Sequence, residues 1–229
     1  MAERTKPEGT LVLLPRIELI KPKDAHALPP NPEAWISEPK LDGIRTAAYV
    51  QRDFIRILTT GSLDVKLNVP TVLAGLVHMA RYHTAILDGE LVYEYGDSTS
   101  DRLTIESLIS MRPELAQRAR AQSHVSYAVF DLMFLDGEDL TKTALIERKR
   151  RLEKLITPYM RKRFNISPVI YEESDHEKFM RVARDEFGLE GVVLKLKDSI
   201  YSQRTRKPWT KIKFRSKKKE KNYTKSAKR

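Results

Sequence analysis

Short runs rich in β-branched and aromatic residues, interrupted by a few helical segments, most restrict the fold of this 229-residue chain. Such runs often alternate apolar and polar residues, as β-strands do. They occupy residues 35–41, 45–50, 54–60, 85–95, 124–135, 166–172, 191–197 and 209–214. Segments 70–83, 105–122, 144–156 and 174–188 have helical spacing or composition, and Pro113 is expected to break or restart the second. Because strands and helices do not alternate regularly, the pattern predicts an α+β fold with largely antiparallel sheets flanked by helices.

The composition is that of a globular protein, but its charge is unevenly distributed. Hydrophobic residues make up 41% of the chain and charged residues 32%. There is no cysteine, which excludes disulfides and cysteine-ligated zinc and suits a reducing compartment. Residues 204–229 hold 13 Lys/Arg and one Glu, so the net charge of +11 resides in this segment. Such a block indicates either a phosphate-seeking element or a solvated tail.

One short stretch combines residue types that suit nucleophilic chemistry. In SEPKLDGIR, residues 37–45, Lys40, Gly43 and Arg45 follow closely after Glu38. A lysine amine is a nucleophile only when deprotonated, and nearby cations together with partial desolvation favour that form. A turn at Gly43 would present Lys40 at the mouth of a sheet, and Arg45 is suited to bind hydroxyls or phosphate.

The stretch KLDGIR at 40–45 resembles the K-x-D-G-x-R signature of covalent nucleotidyltransferases, and the preceding Glu38 matches the version found in ATP-dependent DNA ligases. Four further motifs follow in that family's order. They are D-G-E at 88–90, an aromatic–Asp pair at 130–131, EGVVLK at 190–195 and W-x-K-x-K at 209–213. The resemblance implies an ATP-grasp-like nucleotidyltransferase adenylation domain over residues 35–214, between an irregular extension at 1–34 and a basic tail at 215–229, with no OB-fold domain.

The resemblance implies an enzyme in which Lys40 attacks the α-phosphate of ATP, forms lysine–AMP and expels pyrophosphate. Glu90 and Glu190 are suited to hold Mg²⁺ or a ribose hydroxyl, Phe130 to stack on adenine, and the lysines to stabilise phosphate charge. Taken alone, Phe130 would more often be a core residue than a ligand contact. The candidate nucleotide-binding residues are Glu38, Lys40, Leu41, Arg45, Glu90, Phe130, Glu190, Lys195, Lys211 and Lys213.

Two features depart from the family pattern. The family carries a Ser-Arg pair that contacts nucleic acid, but residues 57–80 contain no arginine, and Thr59 and Thr60 stand at that position. Lys66 is a candidate substitute, and Lys217, Lys218 and Lys219 are the other candidate nucleic-acid contacts. The OB-fold domain that follows W-x-K-x-K in the family is not seen, which indicates a minimal enzyme, an excised domain, or a chain that borrows this part from another subunit.

The leading interpretation is an intracellular ATP- and Mg²⁺-dependent DNA ligase of repair or replication. It would seal 5′-phosphate/3′-hydroxyl nicks in double-stranded DNA through an adenylated DNA end, with a separate OB-fold or clamp subunit as a candidate partner and no membrane. RNA ligases and GTP-using capping enzymes share the lysine chemistry, although Leu41 stands where capping enzymes usually carry threonine. A nucleotide-binding or nucleic-acid-binding module without catalysis is the third alternative.

Overall fold

The structure is a computed structural model and describes residues 13–93, 101–119, 124–202 and 208–214. The strands within these ranges are β1 Lys23–Ala25, β2 Trp35–Pro39, β3 Ile44–Gln51, β4 Phe54–Thr59, β5 Ala85–Tyr93, β6 Val125–Leu135, β7 Glu138–Asp139, β8 Ile166–Pro168, β9 Gly191–Leu196 and β10 Trp209–Lys213. The α-helices are α1 Pro70–Ala80, α2 Arg102–Ser110, α3 Pro113–Arg118, α4 Leu145–Leu155, α5 Pro158–Phe164 and α6 His176–Asp185. None of these described helices is both long enough and apolar enough to cross a bilayer.

The strands form two sheets, which we call the small and the large sheet. The small sheet has the order β1-β10-β9-β2, and the large sheet has the order β4-β3-β5-β6-β7 with β8 paired beside β6. The pairings are antiparallel except for β1 with β10 and β6 with β8. The predicted α+β fold with largely antiparallel sheets is therefore confirmed.

The chain passes from one sheet to the other at the lysine-containing stretch. Strand β2 ends at Pro39 in the small sheet, and β3 begins at Ile44 in the large sheet. The predicted strand at 35–41 ends early for this reason, since residues 40–43 form the connection between the sheets. The connection is anchored by the Lys40 N–H, which donates to the Gly191 carbonyl oxygen at 3.0 Å.

Three apolar clusters hold these layers together. The largest joins one face of the large sheet to helices α1, α2, α4 and α5, with Leu76, Leu87 and Leu152 among its members. A second cluster lies between the two sheets and includes Tyr49 from β3 and Trp209 from β10. A third packs α6 against the outer face of the small sheet. The order of layers is thus helices, large sheet, small sheet and helix, with the connection at 40–43 beside the central cluster.

Several local features differ from the expectation or refine it. Pro113 separates α2 from α3, so the predicted break is confirmed. Residues 23–25, in the segment expected to be irregular, form an edge strand that pairs with β10. The run at 166–172 forms a strand only at 166–168, and the helix at Pro158–Phe164 was not predicted.

Candidate functional site

The connection between the sheets places Lys40 beside two other predicted residues. The Lys40 ammonium is in contact with Glu190 Oε2, and Lys213 Nζ lies 3.0 Å from Glu190 Oε1. Burial acts to raise the pKa of Glu190, but the two lysines outweigh it and hold this pKa below its usual range. One carboxylate therefore bridges two cations at the end of the small sheet.

The register of the small sheet explains why these residues meet. Glu38 on β2 lies opposite Val193 on β9, which in turn lies opposite Lys211 on β10. Side chains directly opposite one another, or two positions apart on one strand, project from the same face of a sheet. Glu38, Lys195, Lys211 and Lys213 therefore share the face that is turned towards the large sheet. On the same face, Lys211 Nζ lies 3.5 Å from Asp24 Oδ1 on β1.

Deeper in the site, Glu38 holds two buried lysines. Lys195 Nζ lies 2.6 Å from Glu38 Oε2, Lys149 from α4 is in contact with Glu38 Oε1, and all three side chains are at most 2% exposed. Lys195 Nζ also lies 4.3 Å from the ring centroid of Phe130 and 4.0 Å from that of Trp209. Burial lowers the pKa of Lys195 to about 8, against the opposing effect of Glu38.

Arg45 is held by a network in the large sheet. Its Nε and Nη2 donate to the two carboxylate oxygens of Asp88 at 3.0 and 2.7 Å, and the Tyr201 hydroxyl donates to Asp88 Oδ2 at 2.6 Å. The guanidinium carbon lies 5.4 Å from the ring centroids of both Phe130 and Trp209. Cations thus lie against the Phe130 ring, the side chain predicted to stack on adenine. The nucleotide-contact roles of Arg45 and Phe130 stay predictions.

Glu90 stands beside the connection because β3 and β5 are paired. Glu90 lies opposite Arg45 in the register, and the Gly43 N–H donates to its carboxylate. Burial raises the pKa of Glu90 to about 7, although Arg45 and Lys40 oppose the shift. A Cβ at position 43 would lie 2.2 Å from the Leu91 carbonyl oxygen, so only glycine permits this close approach.

The two predicted metal-binding carboxylates fit a magnesium ion in their number and position. Mg²⁺ commonly binds one or two carboxylates and completes its coordination with phosphate oxygens and water. Glu90 and Glu190 both flank the connection at 40–43, and a buried carboxylate with a raised pKa is stabilised in its charged form by a cation. Within the described residues, no three His, Asp or Glu side chains converge on a metal position. An ion held by these two carboxylates would complete its coordination with water or with phosphate oxygens.

The remaining predicted residues lie at the margin of this site or away from it. Leu41 is half-buried in the connection. Lys66 donates to the Ile55 carbonyl oxygen at 2.9 Å and lines a different cleft, next to α1. Lys217, Lys218 and Lys219 lie outside the described residues.

The sequence interpretation missed the inward-facing charges of α4. Arg148 and Lys149 of that helix are buried. Arg148 donates to Asp131 Oδ1 at 2.7 Å and to Oδ2 at 2.8 Å, next to Phe130 on β6. The signal was present, because both residues fall in the apolar stripe i, i+3, i+4, i+7 that begins at Leu145 and ends at Leu152.

The comparisons with known proteins agree on one family. Residues 21–213 match the family model described as "ATP dependent DNA ligase domain". The chain is 29% identical over 201 residues to the multifunctional non-homologous end joining protein LigD of Pseudomonas aeruginosa, covering 87% of this chain and 22% of that protein. It is 32% identical over 178 residues to a DNA ligase of Natronomonas pharaonis, covering 77% of this chain and 31% of that protein. The chain thus spans about a fifth to a third of the curated relatives it matches.

Solved structures show the same fold. A mycobacterial DNA ligase D complexed with ATP and MES superimposes with a TM-score of 0.66 at 23% identity, covering 86% of this chain and 61% of that one. Chlorella virus DNA ligase-adenylate superimposes with a TM-score of 0.56 at 20% identity, covering 86% of this chain and 69% of that one. These similarities establish the architecture of two sheets and their flanking helices.

Proposed function

Since the chain belongs to the ATP-dependent DNA ligase family, we propose that it accepts AMP from ATP on Lys40 and passes it to a DNA end at a nick. The observation that carries the proposal is the position of the Lys40 amine, at the connection between the sheets, in contact with a carboxylate that also binds Lys213. A lysine in such a position can approach a nucleotide held between the two sheets.

In the proposed first step, Lys40 Nζ attacks the α-phosphorus of ATP. A P–N bond forms, the P–O bond to pyrophosphate breaks, and the amine loses its proton. The ammonium is in contact with Glu190, so entry of the nucleotide has to separate this pair before the amine can attack.

In the proposed later steps, AMP moves from Lys40 to a 5′-phosphate, and the adjacent 3′-hydroxyl attacks that phosphate and releases AMP. Glu90 and Glu190 would hold Mg²⁺, which supplies charge neutralisation for the phosphates when it is bound. Lys195, Lys211 and Lys213 project from the face towards the same region and would stabilise the charge that develops on the α-phosphate.

The partner we propose is nicked double-stranded DNA, with an OB-fold or clamp subunit as a further partner. The proposed organisation is a catalytic unit over residues 35–214 and a basic tail over 215–229. Because the tail is rich in Lys and Arg, it would raise the rate of encounter with DNA and make binding strongly salt-dependent. Removing residues 216–229 is expected to weaken DNA binding at low salt, and unchanged affinity would contradict this role.

Labelling of the full chain with nucleotide radioactive at the α-phosphate tests the first step. We expect an SDS-stable labelled band with ATP, much weaker labelling with GTP, and no band for Lys40→Ala. Lys154→Ala, at an exposed position of α4, is the matched control and should label as the unaltered chain does. A labelled band that persists in Lys40→Ala would refute the proposal, and labelling with GTP alone would favour the capping-type alternative.

Sealing of a nicked duplex by the full chain, with and without ATP, tests the later steps separately. Labelling together with sealing supports a ligase acting on DNA. Labelling without sealing of nicked DNA, but with sealing of nicked RNA, would transfer the proposal to RNA ends. Absence of both would favour a binding module without catalysis.

A further inference from the structure

A second surface of this molecule, remote from Lys40, combines basic and aromatic side chains. A cleft of about 680 Å³ opens between the β3–β4 hairpin and the C-terminal end of α1. Helix α1 buries Val72, Leu76 and Met79 against the face of the large sheet that is turned away from the small sheet. The cleft therefore lies on the outer side of the large sheet, whereas Lys40 lies between the sheets.

Among the charged residues that line the cleft, cations outnumber carboxylates. Arg52, Lys66 and Arg81 line it together with a single carboxylate, that of Asp53, among the residues the structure describes there. Lys66, which the sequence suggested as a nucleic-acid contact near the nick, belongs to this cleft. The predicted contact is therefore more easily explained here than beside Lys40.

Two exposed tyrosine rings extend the cleft across the surface. Tyr82 follows α1 and Tyr159 opens α5, and each is 56% exposed. Both pack against His78, with ring centroids 5.7 and 5.2 Å away, and Phe164 supports the group from below at 5.6 Å from His78. The two tyrosines are thus held on one side by His78, while more than half of each residue's surface remains exposed.

Cations accompany these rings. Arg163 lies one helical turn after Tyr159, and Arg81 directly precedes Tyr82. Within the part of the chain that the structure describes, no carboxylate lies within ion-pair distance of Arg52, Arg81 or Arg163. Some exposed arginines elsewhere are paired with carboxylates, as in Arg56, Arg102 and Arg184, and others, such as Arg112 and Arg181, have no carboxylate within that distance in the described part of the chain. We call the group Arg52, Val77, Arg81, Tyr82, Tyr159 and Arg163 the outer patch.

We propose that the outer patch binds single-stranded nucleic acid, with its arginines on phosphates and its two tyrosines stacked on bases. Unpaired cations on a surface suit a polyanion, but cations alone would not distinguish a single strand from a duplex. Exposed aromatic rings do so, because the bases of a single strand can turn out and stack on them, whereas those of a duplex are already stacked on one another. The combination therefore favours a single strand.

The proposal goes beyond sealing of a nick. A strand bound on the outer side of the large sheet cannot at the same position present its 5′-phosphate to Lys40. It would be an overhang or a displaced strand that extends from the DNA end being joined. The chain would then hold a DNA end at two places, which are the connection between the sheets and the outer patch.

Fluorescence anisotropy with a labelled 20-nucleotide oligothymidine and with a 20-base-pair duplex tests the proposal on the full chain. Tyr82→Ala/Tyr159→Ala should bind the single strand at least 5-fold more weakly, bind the duplex within 2-fold of the unaltered chain, and keep the same salt dependence. Arg81→Gln/Arg163→Gln should lower the slope of log affinity against log salt by about 1.4 on the single strand. Arg112→Gln/Arg181→Gln, two exposed arginines outside the patch, is the matched control and should change neither value.

Two further measurements separate binding from folding and from catalysis. Tyr82→Phe/Tyr159→Phe keeps both rings and should bind the single strand within 2-fold of the unaltered chain. Labelling of Lys40 by ATP should be unchanged in the tyrosine-to-alanine variant. The anisotropy measurement does not depend on this labelling, so failure of the proposed function would leave the binding test intact. The proposal is overturned if the alanine variant binds the single strand normally, or if it loses affinity for the single strand and the duplex equally.

Discussion

Replacing Arg148 by methionine tests whether the inward-facing charges of α4 hold the site together. Its guanidinium makes two parallel hydrogen bonds to Asp131, and both side chains are 0% exposed. Its third nitrogen donates to the carbonyl oxygens of Thr143 at 2.6 Å and Ser199 at 3.0 Å. Methionine fills much of the same volume but leaves the Asp131 carboxylate and the two carbonyls without this donor.

The expected loss is large because Asp131 would remain buried and charged without its partner. Burial acts against the charged form, yet Arg148 outweighs it and holds the pKa of Asp131 below its usual range. Breaking such a buried pair typically costs about 3–5 kcal/mol of the free energy of unfolding. Taking about 4 kcal/mol and a urea dependence of about 2–3 kcal/mol per molar, the midpoint of unfolding should fall by about 1–2 M urea.

Arg151 on the same helix provides the matched control. It pairs with Glu138 at 2.7 Å and Glu147 at 3.1 Å, and its side chain is 31% exposed. Surface ion pairs contribute about 0–1 kcal/mol. Like Arg148→Met, Arg151→Met removes one arginine from α4. It should nevertheless shift the midpoint of unfolding by less than about 0.5 M urea.

Urea unfolding followed by fluorescence of the two tryptophans, with circular dichroism as a second probe, measures these midpoints. Arg148→Met/Asp131→Leu removes both charges and should recover a large part of the loss, because replacing a whole buried pair by apolar groups is often nearly neutral. Equal shifts for Arg148→Met and Arg151→Met would refute the reasoning. So would a double variant as unstable as the sum of its two single variants.

Three further outcomes follow from the site and its surroundings. Gly43→Ala should reduce lysine–AMP formation at least 10-fold, because its Cβ would lie 2.2 Å from the Leu91 carbonyl oxygen, whereas Gly61→Ala, with its nearest atom at 3.8 Å, should label normally. Glu172→Gln should be less stable than the unaltered chain above pH 4.5, and the difference should vanish as the pH falls to about 2, because hydrogen bonds from the next residues lower the pKa of Glu172 to about 2. Since the pKa of Lys195 is lowered from 10.5 to about 8 by burial, the unfolded chain binds more protons between these values, and urea midpoints of the unaltered chain should rise relative to Lys195→Met from pH 8 to pH 10.5.

The strand pattern carried most of the information about the fold because the long central strands β3, β5 and β6 of the large sheet are largely buried. Strands β3, β5 and β6 were predicted within a few residues of their observed bounds, since apolar and β-branched residues recur along their whole length. Strand β1 has the sequence KDA, which has low strand propensity, and it exists through its pairing with β10 far along the chain. Helix α5 has only seven residues, too few for a periodic pattern to emerge.

The sequence predicted which residues belong to the candidate site, but not which lysine pairs with which carboxylate. The motif order located Lys40, Glu90 and Glu190, and the structure brings all three to the connection between the sheets. Which cation pairs with which carboxylate depends on the register between β2, β9 and β10, and single-strand patterns carry no register. Lys213 therefore shares a carboxylate with Lys40, whereas Lys195, expected like Lys213 to stabilise phosphate charge, binds Glu38 instead.

The buried group of Glu38, Lys149 and Lys195 indicates why charge is retained in this interior. One carboxylate faces two lysines, all at most 2% exposed, so the group holds more positive than negative charge, and burial already lowers the pKa of Lys195 to about 8. An apolar replacement of such a group would often be as stable or more stable, which argues that stability alone does not account for it. Under the proposed function, this excess charge would be available to an anion that enters from outside. A nucleotide phosphate drawing Lys195 away from Glu38 would leave the carboxylate balanced by Lys149 alone, and the group would then be neutral.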